Sequence, residues 1–152
     1  MIEKRVGIGD LKVEQGEIVL SAYGVGSCVV ITLYNAEKQI GGLAHILLPS
    51  GSDHSWKYPQ GAIAEMIKIF SSYGITNADL KAKIVGGATM FENFLKQAIG
   101  RRNVLETREE LKKFDIPIIA EDVLGSWGRT VFFDVRTGVV TVKSYKHGDK
   151  IL

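Results

Sequence analysis

The sequence predicts a single-domain α+β fold with largely antiparallel or mixed sheets, and two observations carry this prediction. Two pairs of strand-like segments, over residues 28–48 and 130–145, are each joined by a polar turn and predict hairpins. Two segments with apolar residues at helical spacing, 59–73 and 103–114, predict helices. No linker, repeat or low-complexity segment divides the 152 residues, so residues 1–152 are predicted to form one domain.

The N-terminal half is predicted to begin with two hairpins. Residues 5–9 and 18–20 are strand-like and flank a polar turn at 14–17, which is typical of an opening hairpin. Residues 28–34 and 40–48 are rich in β-branched and apolar side chains and are expected to pair antiparallel.

The first helix is predicted to begin at Pro59, whose ring suits a first helical turn, and to end at Gly74. Its predicted buried face consists of Ile63, Met66, Ile67, Phe70 and Tyr73. The remaining predicted strands are residues 80–85, 116–120, 130–135 and 139–145. The tail from Lys146 is expected to be frayed.

The only cysteine, Cys28, lies where a glycine-containing loop meets a strand, and we take its thiol as the candidate functional centre. Small residues before it let backbone amides approach a bound group, so Gly26 and Ser27 are candidates for oxyanion support. A turn centred near residues 36 and 37 would place His45 opposite Cys28, on the same face. Such a pair would supply a nucleophile and a base, with the imidazole drawing the thiol toward thiolate.

Each of these features also has a simpler interpretation. A lone cysteine usually behaves as a small buried hydrophobe, and one histidine in an apolar run is often a core residue. The loop at residues 24–27 could be a phosphate cradle, but it lacks the Lys-Ser/Thr ending and precedes a strand.

Two loops are candidates for substrate contact. The polar stretch at residues 49–58 begins shortly after His45, and its Trp56 and Tyr58 would either contact substrate or anchor the loop. Gly86 and Gly87 follow a predicted strand and suggest close backbone approach near the same pocket.

Composition excludes several other functions. One cysteine rules out an internal disulfide, and the three histidines are scattered, so neither a metal nor another cofactor is expected. The 19 basic and 17 acidic side chains give a net charge of +2, without the basic footprint of a nucleic-acid-binding protein. No apolar run is long enough to span a bilayer, so we expect a cytoplasmic protein without membrane insertion.

Five sequence blocks, in register along nearly the whole chain, resemble the chemoreceptor glutamine deamidases called CheD. They are Gly24-Val25-Gly26-Ser27-Cys28, Ala44-His45-Ile46-Leu47-Leu48-Pro49, Gly86-Gly87-Ala88-Thr89-Met90-Phe91, Ile99-Gly100-Arg101-Arg102-Asn103 and Ala120-Glu121-Asp122. The resemblance implies an α/β sandwich related to the catalytic domain of cytotoxic necrotizing factor toxins. It also implies a protein-glutamine glutaminase of chemotaxis, with Cys28 and His45 as the catalytic pair.

The same resemblance implies partners. The substrates would be the cytoplasmic domains of chemoreceptors, and the phosphatase CheC would be a binding partner. An alternative is a regulatory module that docks on CheC or on receptors with little or no catalysis. A third interpretation is a protease or amidase that uses the same pair on another substrate.

The sequence departs from the family pattern at two places. The family has a threonine six residues before the cysteine, which orients the imidazole, whereas this chain has Ala22. The neighbouring Ser21 is a candidate orienter, although a one-residue shift along a strand points a side chain to the opposite face. A backbone carbonyl or another hydroxyl are further options, and the orienter could also be missing. After Glu121-Asp122 the chain continues Val123-Leu124-Gly125-Ser126, where a Gly-Gly pair is expected.

Overall fold

The structure is a computed structural model that describes residues 1–90 and 94–152, apart from the side chains of 94–98. The strands are β1 (Ile2–Arg5), β2 (Leu11–Gln15), β3 (Ile18–Val25), β4 (Val29–Asn35), β5 (Ile40–Ile46), β6 (Lys81–Gly86), β7 (Ile118–Val123), β8 (Arg129–Asp134), β9 (Val140–Ser144) and β10 (Gly148–Ile151). The helices are α1 (Pro59–Ser72) and α2 (Phe94–Lys113), and a short 3₁₀ turn covers Asn77–Asp79.

The strands form two five-stranded sheets. The first has the order β1-β3-β8-β9-β10, and the second has the order β2-β5-β4-β6-β7. Each sheet contains one parallel pair, β1 with β3 and β6 with β7, and the other pairs are antiparallel. The predicted α+β class with mixed sheets is therefore confirmed.

The second sheet is the middle layer of three. Side chains on alternate sides of a strand face opposite layers. Val29 and Ile31 of β4 pack in a cluster with the helices, whereas Val30 packs in a cluster with the first sheet. The layers thus run helices, second sheet, first sheet, and Cys28 belongs to the cluster between the two sheets.

The central hairpin forms as predicted, with a register two residues from the one expected. Val30 lies opposite His45 in the β4–β5 ladder, so the position opposite Cys28 is Leu47. Because side chains alternate with a period of two, a shift of two residues keeps Cys28 and His45 on the same face. They are diagonal neighbours instead of a directly opposed pair.

The predicted opening hairpin is wrong. The turn at Gly16 joins β2 to β3, but these strands belong to different sheets, with β2 pairing with β5 and β3 with β1 and β8. Residues 6–10 lie between strands and cross toward His45. The error has a physical cause, because a short strand pairs with whichever neighbour best buries its apolar side.

The structure corrects details of the predicted helices and of the predicted C-terminal tail. Helix α1 agrees with its predicted bounds, although Tyr73 follows its last turn and is exposed. Helix α2 begins nine residues before the predicted start, and Leu105 faces solvent. The tail is not frayed, because it forms β10, from which Lys150 pairs with Asp122. Phe91 of the predicted glycine loop lies outside the described residues.

Within the described ranges, no helix has both the length and the apolar character needed to cross a bilayer.

Candidate active site

The loop that carries Cys28 is held by its carbonyl groups. Cys28 lies between the end of β3 and the start of β4, and its exposed fraction is 7%. Three consecutive carbonyls, of residues 26–28, accept hydrogen bonds from neighbouring segments. The bonds run from Ala88 N to Gly26 O at 2.9 Å, from Asn103 Nδ2 to Ser27 O at 2.9 Å, and from Gly87 N to Cys28 O at 2.7 Å. The carbonyls therefore point into the protein, and the Cys28 N–H lies beside its own sulfur.

Gly86 and Gly87 support this loop from behind. Both are buried, with φ angles of 116° and 71°. A Cβ on Gly86 would collide with the Cys28 carbonyl oxygen, and one on Gly87 would collide with Val104 of α2. These glycines, which the sequence suggested for substrate contact, thus allow the close backbone packing that holds Cys28.

We expect Gly86→Ala to destabilise the fold far more than Gly16→Ala, which serves as a matched control. Both glycines have positive φ, but a Cβ on Gly16 would meet open space. Backbone strain alone should cost about 1 kcal/mol at Gly16, whereas the added collision should bring the loss at Gly86 to about 3 kcal/mol or more. Urea unfolding of both variants measures the difference, and equal losses would contradict this account.

His45 is held on both its backbone and its ring. Its N–H donates to Asp10 O at 3.1 Å, and its carbonyl accepts from Gly9 N at 2.8 Å. Ring nitrogen Nδ1 lies 3.3 Å from the Val6 carbonyl oxygen. Because a carbonyl only accepts, Nδ1 carries the hydrogen and Nε2 carries the lone pair. Nε2 is buried and has no hydrogen-bond partner among the described residues.

The geometry answers the question that Ala22 raised. The methyl of Ala22 packs in the cluster between the sheets, as a residue on that face should. The hydroxyl of Ser21 donates to Glu3 at 2.8 Å instead of contacting the ring. Ser21 is therefore not the orienter, because neighbouring residues of a strand face opposite sides. The group that bonds Nδ1 is the main-chain carbonyl of Val6.

Burial keeps both members of the pair neutral. It raises the pKa of the Cys28 thiol above its ordinary value of 9.0. It also lowers the pKa of His45 below 6.5, with a smaller opposing effect from the hydrogen bond to Val6. Nε2 makes no hydrogen bond to the sulfur. These directions favour a thiol and a neutral imidazole at neutral pH, whereas the sequence suggested an imidazole that draws the thiol toward thiolate.

The buried ring should make the protein less stable in mild acid. As pH falls through about 6.5, the unfolded chain protonates His45 before the folded protein does. The unfolded state then binds more protons, so the free energy of unfolding decreases as pH falls below that value. We expect His45→Asn to lose less stability than the parent between about pH 7 and about pH 5. Urea midpoints measured across this range test the difference, and parallel curves would contradict it.

The polar loop after His45 is tied to the site at one end. The Lys57 carbonyl accepts from Leu47 N at 2.9 Å and Leu48 N at 3.1 Å. Tyr58 lies against Gly51, where a Cβ would collide with its ring, so this side chain anchors the loop. Trp56 has an exposed fraction of 38%, and its contact with a substrate stays a prediction.

The described residues contain no group of three or more His, Cys, Asp or Glu side chains suited to hold a metal ion. A cavity of about 450 Å³ lies away from the site, at the opposite ends of β4 and β6. Tyr34, Asn35 and Lys83 contribute to its lining, and Cys28 and His45 do not.

Comparisons with known proteins place the chain in a family. The family described as CheD chemotactic sensory transduction matches residues 47–144. The chain belongs to the CheD family. The match begins two residues after His45, and relatives of nearly equal length extend it across Cys28.

A protein of Pyrococcus abyssi is 40% identical over 98% of this chain and 96% of its own. One from Geobacter metallireducens is 41% identical over 97% of this chain and 96% of its own. One from Methanosarcina barkeri is 39% identical over 97% of this chain and all of its own. The first and third are named "Probable chemoreceptor glutamine deamidase CheD", and the second carries the same name with the number 2.

A solved structure shares the fold of this CheD chain at low identity. The hypothetical protein YfiH of Bacillus licheniformis superposes with a TM-score of 0.51 and 15% identity. The match covers 74% of this chain and 49% of that protein. The likeness to cytotoxic necrotizing factor toxins stays a prediction.

Two exposed apolar side chains beside the site were not predicted from this CheD sequence. Met90 lies over Gly26, with its Cγ 3.3 Å from where a Cβ on that glycine would be. Leu124, within the stretch where a Gly-Gly pair was expected, has a φ of 70°. Its N–H donates to Gly86 O at 2.8 Å, which places it next to the glycines that support Cys28. The left-handed backbone explains why a glycine suits this position.

Proposed function

We propose that this chain is a cysteine-dependent protein-glutamine glutaminase. It hydrolyses glutamine side-chain amides on chemoreceptors, the methyl-accepting chemotaxis proteins, to glutamate and releases ammonia. The observation that carries the proposal is the arrangement of Cys28 and His45 on one face, with Nδ1 held by Val6 and Nε2 left to accept a proton. The names of the relatives support the choice of substrate.

The first chemical step forms a carbon–sulfur bond. His45 Nε2 takes the proton from Cys28 Sγ as the sulfur attacks the carboxamide carbon of the substrate glutamine. The carbonyl π electrons move to oxygen, and N–H groups of the Cys28 loop hold the resulting oxyanion. The carbonyls of this loop are bonded to the protein interior, which favours N–H groups facing the substrate.

The second step breaks the carbon–nitrogen bond. The His45 imidazolium protonates the amide nitrogen, which leaves as ammonia, and a thioester remains on Cys28. His45 then takes a proton from water, which attacks the thioester and releases glutamate and the free thiol. The balance is one amide and one water converted to one carboxylate and one ammonium ion.

The neutral forms of Cys28 and His45 before the reaction are compatible with these steps. Proton transfer from Cys28 to His45 creates opposite charges next to each other in a poorly solvated layer, where their attraction is stronger than in water. Burial also keeps His45 unprotonated at neutral pH, so that it is ready to act as a base. Each glutamate product adds a negative charge, which changes the electrostatic repulsion between helices of the receptor bundle. We place this activity on the cytoplasmic side of the membrane.

The test is peptide mass spectrometry of a chemoreceptor cytoplasmic fragment incubated with the protein in ¹⁸O-labelled water. We expect an amide-to-acid change at defined glutamines, one labelled oxygen at each site, and one ammonia released per glutamate formed. Free glutamine and unrelated glutamine peptides should react far more slowly. An unchanged receptor fragment would overturn the proposal, and equal turnover of free glutamine would favour a general amidase.

The burial of Cys28 favours a second candidate, a regulatory module that binds the phosphatase CheC or the receptors without turnover. Its thiol has little exposed surface, and burial raises its pKa. This candidate predicts tight binding of CheC or of the receptor fragment, together with no conversion of glutamine. The two candidates are separated by measuring binding and conversion on the same fragment.

A further inference from the structure

The side chain of Asn103 joins the two halves of the candidate site. Asn103 lies on α2 with an exposed fraction of 0%. Its Nδ2 donates to Ser27 O at 2.9 Å and to Leu47 O at 3.2 Å. Both acceptors are carbonyls, so only the NH₂ group of the amide can make these bonds, which fixes the orientation of the side chain.

These two carbonyls lie where the central ladder ends. The last paired residues of β4 and β5 are Val29 and Ile46. Ser27 immediately precedes Cys28, and Leu47 lies two residues after His45. Beyond the last rung, the N–H groups of Leu47 and Leu48 bond to Lys57 instead of to the Cys28 loop. In the described structure, the NH₂ group of Asn103 therefore bonds the segment before β4 and the segment after β5, where the ladder no longer pairs them.

We propose that Asn103 is a positioning residue for the deamidation reaction, and that it acts through the Ser27–Cys28 peptide and the end of β5. This inference rests on the proposed function, because it concerns the same site. The amide clamps Ser27 and Leu47 at one separation, and this separation sets how Cys28 faces His45.

The hydrogen bond from Asn103 to the Ser27 carbonyl also sets the direction of the Cys28 N–H group. A trans peptide is planar, with its C=O and N–H groups pointing in opposite directions. The Ser27 carbonyl and the Cys28 N–H belong to the same peptide. When Asn103 holds the carbonyl toward α2, the Cys28 N–H must point the other way, toward the layer that holds its sulfur. Without the clamp this peptide can rotate and remove one oxyanion donor.

A buried side chain with two hydrogen bonds also contributes to stability, so the test needs a matched control. Thr107 lies one turn further along the same helix, is fully buried, and its Oγ1 has no hydrogen-bond partner among the described residues. Thr107→Val removes a buried polar group of α2 without touching Ser27 or Leu47. Asn103→Leu keeps the branched shape and the number of side-chain heavy atoms and removes the donors, and Asn103→Ala is a second variant if the first does not fold.

The first measurement is steady-state deamidation of the receptor fragment by each folded variant. We expect Asn103→Leu to lower kcat by about 10²-fold or more, with KM changed less than about threefold. Thr107→Val should remain within about twofold of the parent in both quantities. A kcat for Asn103→Leu within about twofold of the parent would overturn the proposal, as would an equal loss in Thr107→Val.

The second measurement is the rate of Cys28 alkylation by iodoacetamide, which requires no receptor. We expect Asn103→Leu to slow alkylation in a chain with His45 intact and to have little further effect when combined with His45→Asn. The positioning role would be overturned if Asn103→Leu alone left the alkylation rate unchanged. It would also be overturned if Asn103→Leu slowed alkylation by the same factor with and without His45→Asn. Since this readout is independent of substrate, a parent protein that alkylates normally but converts no glutamine would refute the proposed function alone.

Discussion

Replacing Cys28 with alanine is expected to abolish deamidation, with a loss in kcat of about 10⁴-fold or more. No other thiol exists in the chain to supply a sulfur nucleophile. Alanine removes a single atom, the sulfur, from the cluster between the sheets, so the fold should persist. The measurement is conversion of receptor glutamines by mass spectrometry, at equal concentrations of folded parent and variant.

Cys28→Ser provides the matched chemical control for this prediction. It keeps a hydroxyl in place of the thiol, but a serine oxygen is far less acidic and should remain close to inactive beside a neutral imidazole. Binding of the receptor fragment should survive in both variants, because the surface around the site is unchanged. Full activity of Cys28→Ala would show that another group performs the reaction.

Replacing His45 with asparagine should lower kcat by about 10³-fold or more. The asparagine NH₂ group can take the place of Nδ1–H and keep a bond to the Val6 carbonyl. The variant therefore removes the proton acceptor Nε2 while retaining the backbone contacts of this position. We expect alkylation of Cys28 to slow at neutral pH and to follow the ionisation of an unassisted thiol.

His54→Asn is the control for this second prediction, because His54 is exposed in the polar loop after His45. It should leave the alkylation rate, which needs no receptor, within about twofold of the parent. If His45→Asn retained the parent pH profile of alkylation, the imidazole would not be the group that activates the thiol.

The placement of Cys28 and His45 on one face of the sheet was predictable because it depends on local structure. A polar turn between two β-branched segments fixes a hairpin, and the turn position fixes the register to within a few residues. The true register differs by two residues. A register error of two residues leaves side chains on their predicted face of the sheet, whereas a register error of one residue would have placed Cys28 and His45 on opposite faces.

The groups that hold this pair come from distant parts of the chain and could not be found in the same way. Val6 reaches His45 because residues 6–10 cross between the sheets, where the sequence suggested a strand. Asn103 reaches Ser27 because α2 packs closely at Gly100 and Gly87. Neither contact follows from spacing, since each depends on how the layers pack.

The outcome at Ala22 shows how the fold accommodates a departure from the family pattern. The sequence indicated that a methyl could not orient the imidazole and left a backbone carbonyl as one option. The Val6 carbonyl lies within hydrogen-bond reach of Nδ1, so the ring has an acceptor without a threonine hydroxyl. A main-chain acceptor fixes the same tautomer that a side-chain acceptor would fix.

The most direct test of the central claim, that Cys28 attacks glutamine with help from His45, is to trap the thioester. Receptor fragment and protein are mixed, quenched in acid at short times and analysed by intact and peptide mass spectrometry. We predict a covalent species with the mass of protein plus receptor fragment minus ammonia, linked through Cys28, that disappears as glutamate accumulates. Glutamate formation at undiminished rate in Cys28→Ala, with no linked species at any quench time, would contradict the account.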